Sequence, residues 1–289
     1  MNKLCLLPSL GVLKISGKEA AEFLQGQITA DVKQCPELSP LGAHCLPNGK
    51  IVFLFRLFQW QANYYLLMPQ SMLALAQKSL GKYAAFSDCT ISIESLSILG
   101  VIGIEACSAI TSPKEVIILT LQKEDPRRIC IGDKDWMNKI INETKIPLGT
   151  LEDWQHQDIL NGIPTLSPET SEVFLPHRIG LPEIDAVSFN KGCYIGQEII
   201  ARTQYRATPK YKVMCFKSNS RLPLTPGKPM STTNKEAGVC INAQYYQNNT
   251  EGLAIMPIDT LENTVLKIDK TSIHFSAPLY ANKKNEKVS

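Results

Sequence analysis

The 289-residue sequence contains no uncharged apolar run of about 18 residues, so no membrane-spanning helix is expected. The nearest candidate, residues 51–68, holds Arg56, Gln59, Gln61 and Asn63 and reads as two strands with a turn. Lys3 and the apolar stretch Leu4 to Leu13 resemble a signal peptide only faintly. Pro8 interrupts the stretch and no small-x-small cleavage site follows, so a mature, cytoplasmic N-terminus is expected. There is no CxxC pair, and the nine cysteines (Cys5, Cys35, Cys45, Cys89, Cys107, Cys130, Cys193, Cys215, Cys240) are widely spaced and odd in number. That excludes a disulfide framework or a zinc knuckle and fits thiols in a reducing compartment. Charge of one sign is also missing. Thirty Lys+Arg against 27 Asp+Glu leave +3, too little to hold nucleic acid by bulk charge. GxGxxG, GxSxG and HExxH are absent. Asn48-Gly49-Lys50 is followed by Ile51, where a phosphate loop needs Ser or Thr, and so reads as a hairpin turn. His44, His156, His177 and His274 are scattered, and no stably bound metal is expected.

What is present is the composition of a globular chain, 44% hydrophobic and 20% charged, long enough for two to three small domains. Leu10 to Ser16 reads as a strand, and Ser16 to Glu19 has capping-box spacing ahead of a helix carrying Phe23, Leu24 and Ile28. A hairpin around Asn48-Gly49, a strand over 64–68 and a helix from Ser71 follow. One or two strands are expected in 91–104 and another in 116–121, with helices over 133–144 and 151–161. The last of these ends at Gly162 and Pro164. Residues 164–190 are loop-rich. From Tyr211 short β-type runs at 211–217, 237–246, 252–257 and 264–275 predict a small antiparallel barrel, with a boundary near residue 206.

One segment is dense in chemistry: Lys191-Gly192-Cys193-Tyr194-Ile195-Gly196-Gln197-Glu198-Ile199-Ile200-Ala201-Arg202. Two glycines flank a cysteine in non-apolar text, and a helical pattern begins just after. Positive potential from a helix N-terminus and from Lys191 favours a thiolate. Glu198 and Arg202, four apart, suit pairing on one helix face. The plainer alternative is a glycine-rich connection with a filler cysteine. Downstream, Arg202, Tyr205, Arg206, Lys210, Tyr211 and Lys212 interleave basic and aromatic side chains, as an anion-binding stretch or a solvated linker would.

The 191–202 segment resembles the KGCYxGQE signature of the YgfZ family, the folate-binding relatives of the glycine-cleavage T-protein. Further stretches are similar to family motifs: Ile15 to Ala20 with Phe23 to Val32, Cys45 to Lys50, and Trp154 through Ile159 to Pro164. Phe174-Leu175-Pro176 and Val187-Ser188-Phe189 then lead into the signature. The resemblance spans roughly residues 10–212. It implies an α+β fold with three subdomains in a ring. Two would be α+β pieces of the T-protein type within 1–205, the middle one roughly 50–150, and the third a C-terminal β-barrel over 206–289. It implies tetrahydrofolate or a derivative as ligand, and a role in maintaining iron–sulfur enzymes with indirect effects on tRNA modification. Partners would be folate and iron–sulfur client or assembly proteins, with no membrane.

On this resemblance Cys193 is the functional residue and Trp154 the aromatic contact to folate. Gln25 and Gln27 would supply amide hydrogen bonds, with Tyr194 also counted at the ligand. Arg202 or Arg206 would meet the glutamyl tail. Lys191, Gly192, Gly196, Gln197 and Glu198 complete the signature. The chain departs from its relatives at Leu10, where some carry tryptophan, at Leu160, where glutamate is frequent, and at Gly180. The strand Ile51 to Phe55 lacks the acid that T-protein enzymes use, so aminomethyl transfer is not expected. A folate-dependent one-carbon transferase of different chemistry and a non-catalytic tRNA or protein scaffold are the alternatives.

Overall fold

The computed structural model describes residues 2–35, 39–110, 115–121, 125–232, 235–260, 264–268 and 271–280. Its first two strands, β1 (Lys3–Leu6) and β2 (Leu10–Ser16), enter different sheets. Then come α1 (Ala20–Gln27), β3 (Leu41–Cys45), β4 (Ile51–Trp60), β5 (Asn63–Pro69), α2 (Leu73–Ala84) and β6 (Thr90–Glu94). The first sheet runs β3-β4-β5-β2-β6, antiparallel throughout. Its core strand β4 is buried from Ile51 to Phe58, which explains its unbroken apolar text. Phe53, Phe55 and Leu57 pack in the cluster that holds α1 and α2. On the alternate face Leu54 and Phe58 join two other clusters, and Arg56 lies between them.

The expected capping box at Ser16 does not form. Gly17 turns the chain at φ +122°, and α1 starts at Ala20 without a side-chain cap. Glu19 instead accepts the Asp88 backbone N–H at 2.7 Å, fastening the loop before β6.

The second sheet takes β1 together with β7 (Ser97–Ile102), β8 (Ile117–Thr120), β9 (Arg127–Gly132) and β10 (Leu148–Gly149), in the order β10-β1-β7-β9-β8. The strand expected to reach Ile104 stops at Ile102, because Gly103 (φ +100°) turns into α3 (Ile104–Ala109). Next come α4 (Lys134–Glu143), capped by Asp133, and α5 (Leu151–Leu160), which carries a true capping box between Thr150 and Asp153.

Asp153 does more than cap. Lys3 Nζ lies 2.7 Å from its Oδ1, and the Tyr246 hydroxyl donates to the same oxygen at 2.8 Å. Burial alone would raise this carboxyl, but the hydrogen bonds from Lys3, the Thr150 N–H and Tyr246 outweigh it and hold the pKa below the usual range. A carboxylate held down in the folded state stabilises above the ordinary carboxylate pKa, and that contribution is lost as pH falls. Asp153→Asn should therefore cost about 2–4 kcal/mol at pH 7. Urea midpoints measured from pH 7 to pH 3 should show a shallower acid-side fall in the variant, and parallel curves would refute this role.

After short 3-10 turns across 168–184 the chain forms α6 (Gln197–Arg206). A third, antiparallel sheet follows: β11 (Tyr211–Ser218), β12 (Pro229–Thr232), β13 (Lys235–Tyr246), β14 (Asn249–Pro257), β15 (Val265–Ile268) and β16 (Thr271–Ser276). Its order is β12-β13-β14-β11-β16-β15, and it curls into a half-barrel. Among the described residues no hydrogen-bonded ladder joins β12 to β15. The expected α+β class is thus what folds. One apolar cluster ties the pieces together, drawing Cys45 and Leu54 from the first sheet, Ile159 from α5, Tyr194 from the signature loop, and Val213 and Leu253 from the third sheet. No helix among the described residues is long and apolar enough to cross a membrane.

Candidate functional site

Helix α5 sets the site. Trp154 and Asp158 are four residues apart, so both project from one face of the helix. Both side chains line a cavity of ≈ 100 Å³, together with Leu10, Leu54 and Arg56 among others. Trp154 is 4% exposed. The Arg127 guanidinium lies over its ring, 4.8 Å from the centroid. Only a glycine fits at position 100, since a Cβ there would collide with the indole Cε3.

Arg127, fully buried, forms a fork onto Asp125, with Nε 2.9 Å from Oδ1 and Nη2 2.8 Å from Oδ2. Its Nη1 donates to Asp158 Oδ1 at 2.7 Å. Burial pushes the Asp158 carboxyl up, and Arg127 and Arg56 only partly reverse that. Arg56, 7% exposed, is satisfied differently. Its Nη1 donates to the carbonyls of Ser39 (2.8 Å) and Leu121 (3.2 Å). Burial lowers its pKa to about 10. A second cavity of ≈ 150 Å³ shares Asp158, Thr165 and Leu166 with the first and reaches Asn242 and Gln244 on β13. The Oδ1 of Asn242 and Oε1 of Gln244 are buried without hydrogen-bond partners among the described residues.

The signature segment is built as a loop clamped to the first unit. Lys191 Nζ donates to the carbonyls of Ile28 (2.8 Å) and Ala30 (2.7 Å) and sits 5.2 Å from the centre of the Tyr194 ring. Burial brings the Lys191 pKa down to about 8, against a partial pull upward from Asp31. The Ile195 N–H donates to Gly26 O at 3.1 Å, and Gly196 turns at φ +83° into α6. This leaves Gly192 and Cys193 exposed between anchored flanks, with the thiol open to solvent. Tyr194 is buried in the cluster shared by the units, its hydroxyl without a partner among the described residues. Gln25 donates to Asp31 and accepts the Val32 N–H, which occupies its amide. Gln27 Oε1 is buried and unpartnered among the described residues. Glu198, Arg202 and Arg206 are exposed along α6 and Gln197 is half-buried. No ion pair joins Glu198 to Arg202.

Of the residues singled out from the sequence, Trp154 and Leu10 line the α5 cavity. Cys193, Gln25, Gln27, Tyr194, Arg202 and Arg206 do not. Sequence reading missed Arg56, Asp158 and Arg127. Arg56 had a signal, as the one charge inside the ten-residue apolar strand Ile51–Trp60. The cavity combines an aromatic edge, a donor fork and a carboxylate, which suits a flat heterocycle with both acceptor and donor edges. Among the described residues no group of three or more His, Cys, Asp or Glu is placed to hold a metal ion.

No family model matches the chain. Curated relatives do. It is 33% identical over 233 residues to the tRNA-modifying protein YgfZ of Colwellia psychrerythraea, covering 75% of this chain and 72% of that one. Identity to the YgfZ of Vibrio atlanticus is 30% over 268 residues, 87% and 83% of the two chains. An uncharacterized protein of Haemophilus influenzae is 35% identical over 223 residues, 75% and 74% of the two chains. Among solved structures, the glycine cleavage system aminomethyltransferase T of Bartonella henselae superposes with a TM-score of 0.73, covering 96% of this chain and 86% of that one at 12% identity. At that identity the likeness concerns the fold alone. A T-protein-like α+β architecture and YgfZ relatives across most of the chain lead to one conclusion: the protein belongs to the YgfZ family of tRNA-modifying proteins.

Proposed function

We propose that the protein is a folate-binding accessory factor that supports assembly or repair of iron–sulfur enzymes and, through them, tRNA modification, with Cys193 as its reactive group. In this reading residues 1–205 form the folate-binding region, and the C-terminal region 206–289, whose strands between Tyr211 and Ser276 curl into a half-barrel, is the third member of a ring. The observation that carries the reading is the cavity between α5 and β4, which sets Trp154, Arg56 and Asp158 around one space in a T-protein-like fold. At ≈ 100 Å³ it is smaller than the roughly 300–1,000 Å³ of sites that enclose a whole ligand. Only the ring end of a folate would enter it, and a second cavity toward β13 shares Asp158, Thr165 and Leu166 with it. The residues suit that ring: Trp154 offers an apolar edge, Asp158 an acceptor and Arg56 donors.

The exposed Cys193 thiol is separate from this cavity, which suits a group that meets another protein. Strand β4 carries no carboxylate from Ile51 to Phe55, which supports an accessory role over aminomethyl transfer.

Calorimetric titration of tetrahydrofolate into wild type, Trp154→Ala and Cys193→Ala tests the proposal. Wild type and Cys193→Ala should bind alike, and Trp154→Ala should bind at least 10-fold more weakly or not at all. Cells carrying only Cys193→Ala should lose iron–sulfur enzyme activity although the variant still binds. Full activity with Cys193→Ala would leave a scaffold without thiol chemistry.

A further inference from the structure

Arg202 and Arg206 stand outside the α5 cavity, and they belong to a wider feature of the charge distribution. Residues 199–235 contain eight Lys+Arg and no Asp or Glu, whereas the rest of the chain is net negative. Folding gathers the first part of that run on one surface. Arg202, Tyr205 and Arg206 are three and four apart on α6, so they share a side of the helix. The 3-10 turn Pro176–Ile179 joins this helix to the start of β11. His177 Nε2 lies 3.0 Å from Gln204 Oε1, and the Arg178 guanidinium lies over the Tyr211 ring, 3.9 Å from its centroid. Arg202, Arg206 and Lys210 are exposed, and so are Tyr205 (72%) and Tyr211 (42%). Among the described residues none of Arg178, Arg202, Arg206 and Lys210 forms an ion pair.

The loop that carries Cys193 is fastened to the same helix at both ends. The Phe189 ring meets Tyr205 edge-on at 6.1 Å, and Tyr194 O accepts the Gln197 N–H where α6 begins. Cys193 lies four residues past Phe189, at most about 14 Å along the chain. The exposed thiol therefore borders a surface of unpaired cations and open tyrosines.

We infer that this surface of α6, the 176–179 turn and the start of β11 docks an acidic segment of a protein partner and so brings that partner to Cys193. The inference rests on Cys193 as the reactive group and not on the folate cavity. Charge complementarity selects the occupant, and the guanidinium forks of Arg178, Arg202 and Arg206 match carboxylates two bonds at a time. A single strand of RNA would instead be held by bases on open aromatic faces. Here Arg178 covers one face of Tyr211, and Tyr205 is engaged by Phe189.

The test is fluorescence anisotropy with a labelled glutamate-rich peptide, its glutamine counterpart and a single-stranded RNA oligonucleotide, each titrated into the full chain. The glutamate peptide should bind about 10-fold more tightly than the glutamine peptide, and the difference should shrink as salt is raised. The double variant Arg202→Gln, Arg206→Gln should lose that preference with unchanged thermal melting, since both side chains are exposed. Lys134→Gln, which removes an exposed cation on α4, should keep it. The same peptides carrying a cysteine as its thiopyridyl disulfide report on the thiol. The Cys193 thiolate attacks the peptide sulfur, a Cys193–peptide disulfide forms and 2-thiopyridone leaves. With Cys193→Ala as the blank, release should be about 10-fold faster from the glutamate peptide, and the double variant should abolish the advantage. RNA bound more tightly than the glutamate peptide at the same ionic strength overturns the inference in favour of nucleic acid. Tight peptide binding without a rate advantage also overturns it, because the surface then does not serve the thiol. Equal affinity for the two peptides removes the docking surface but leaves Cys193 as the reactive group. No release above the Cys193→Ala blank from either peptide brings both down.

Discussion

Arg127→Met is expected to lower the unfolding free energy by about 3–5 kcal/mol at pH 7. Its guanidinium is fully buried and holds Asp125 by a fork and Asp158 by a third hydrogen bond. Methionine fills much of the volume but leaves two carboxylates without their cation. The loss should depend on pH in a defined direction. Burial already pushes Asp158 up, and without Arg127 its folded pKa rises further. A carboxyl raised in the folded state binds more protons there than in the unfolded chain, so stability falls as pH rises through that range. The deficit should accordingly be smaller near pH 5 than at pH 7. Arg127→Lys should recover part of the loss, and Asp125→Asn combined with Arg127→Met should cost less than the sum of the two changes. Urea denaturation at both pH values checks each point. A methionine variant with the wild-type midpoint at pH 7 would mean that the network contributes nothing.

That network also shows where the sequence stops being readable. Helix α5 is legible from its period, with Gly162 and Pro164 beyond its end, and the β3–β4 hairpin from Asn48-Gly49, because those signals are local. So is the chain of motifs that points to the YgfZ family, and the relatives bear that out. The errors are all long-range. Ser16 and Glu19 have the spacing of a cap, but Gly17 turns the backbone and Glu19 finds an N–H 69 positions away. Strand β1 gives almost no pattern in four residues, and it exists because β7 and β10 flank it. Strand β12 is equally short and leans on β13. The cavity is the extreme case. Leu10, Arg56 and Asp158 come from three separate stretches, and only the tertiary fold brings them round one cavity. Residue type could flag Trp154 and Cys193 one at a time. It could not say that one lines a buried cavity while the other stands exposed.

Gly196→Ala tests how the signature holds Cys193 in place, and it should have the largest effect of any change in that loop. Position 196 has φ +83°, where a side chain costs about 1–2 kcal/mol. A Cβ there would also stand 2.7 Å from the carbonyl oxygen of Leu46 and 3.2 Å from the Cβ of Cys45. Neither neighbour yields easily, since both belong to the hairpin that ends at Gly49, itself packed 3.0 Å from Ile199 by the same measure. Together these predict a loss of about 2–4 kcal/mol. The strain is relieved most simply if the loop lifts from the first unit, loosening the Ile195–Gly26 hydrogen bond and the Lys191 contacts to Ile28 and Ala30. Cys193 would then lose its fixed position without being altered. Gly192→Ala is the control: nothing lies within 4 Å of a Cβ there, so stability should stay within ~0.5 kcal/mol of wild type. Urea melts give the stabilities, and the labelling rate of Cys193 by a bulky maleimide reports the loop. If both alanine variants melt and label like wild type, the anchoring of the signature by Gly196 is not what presents the thiol.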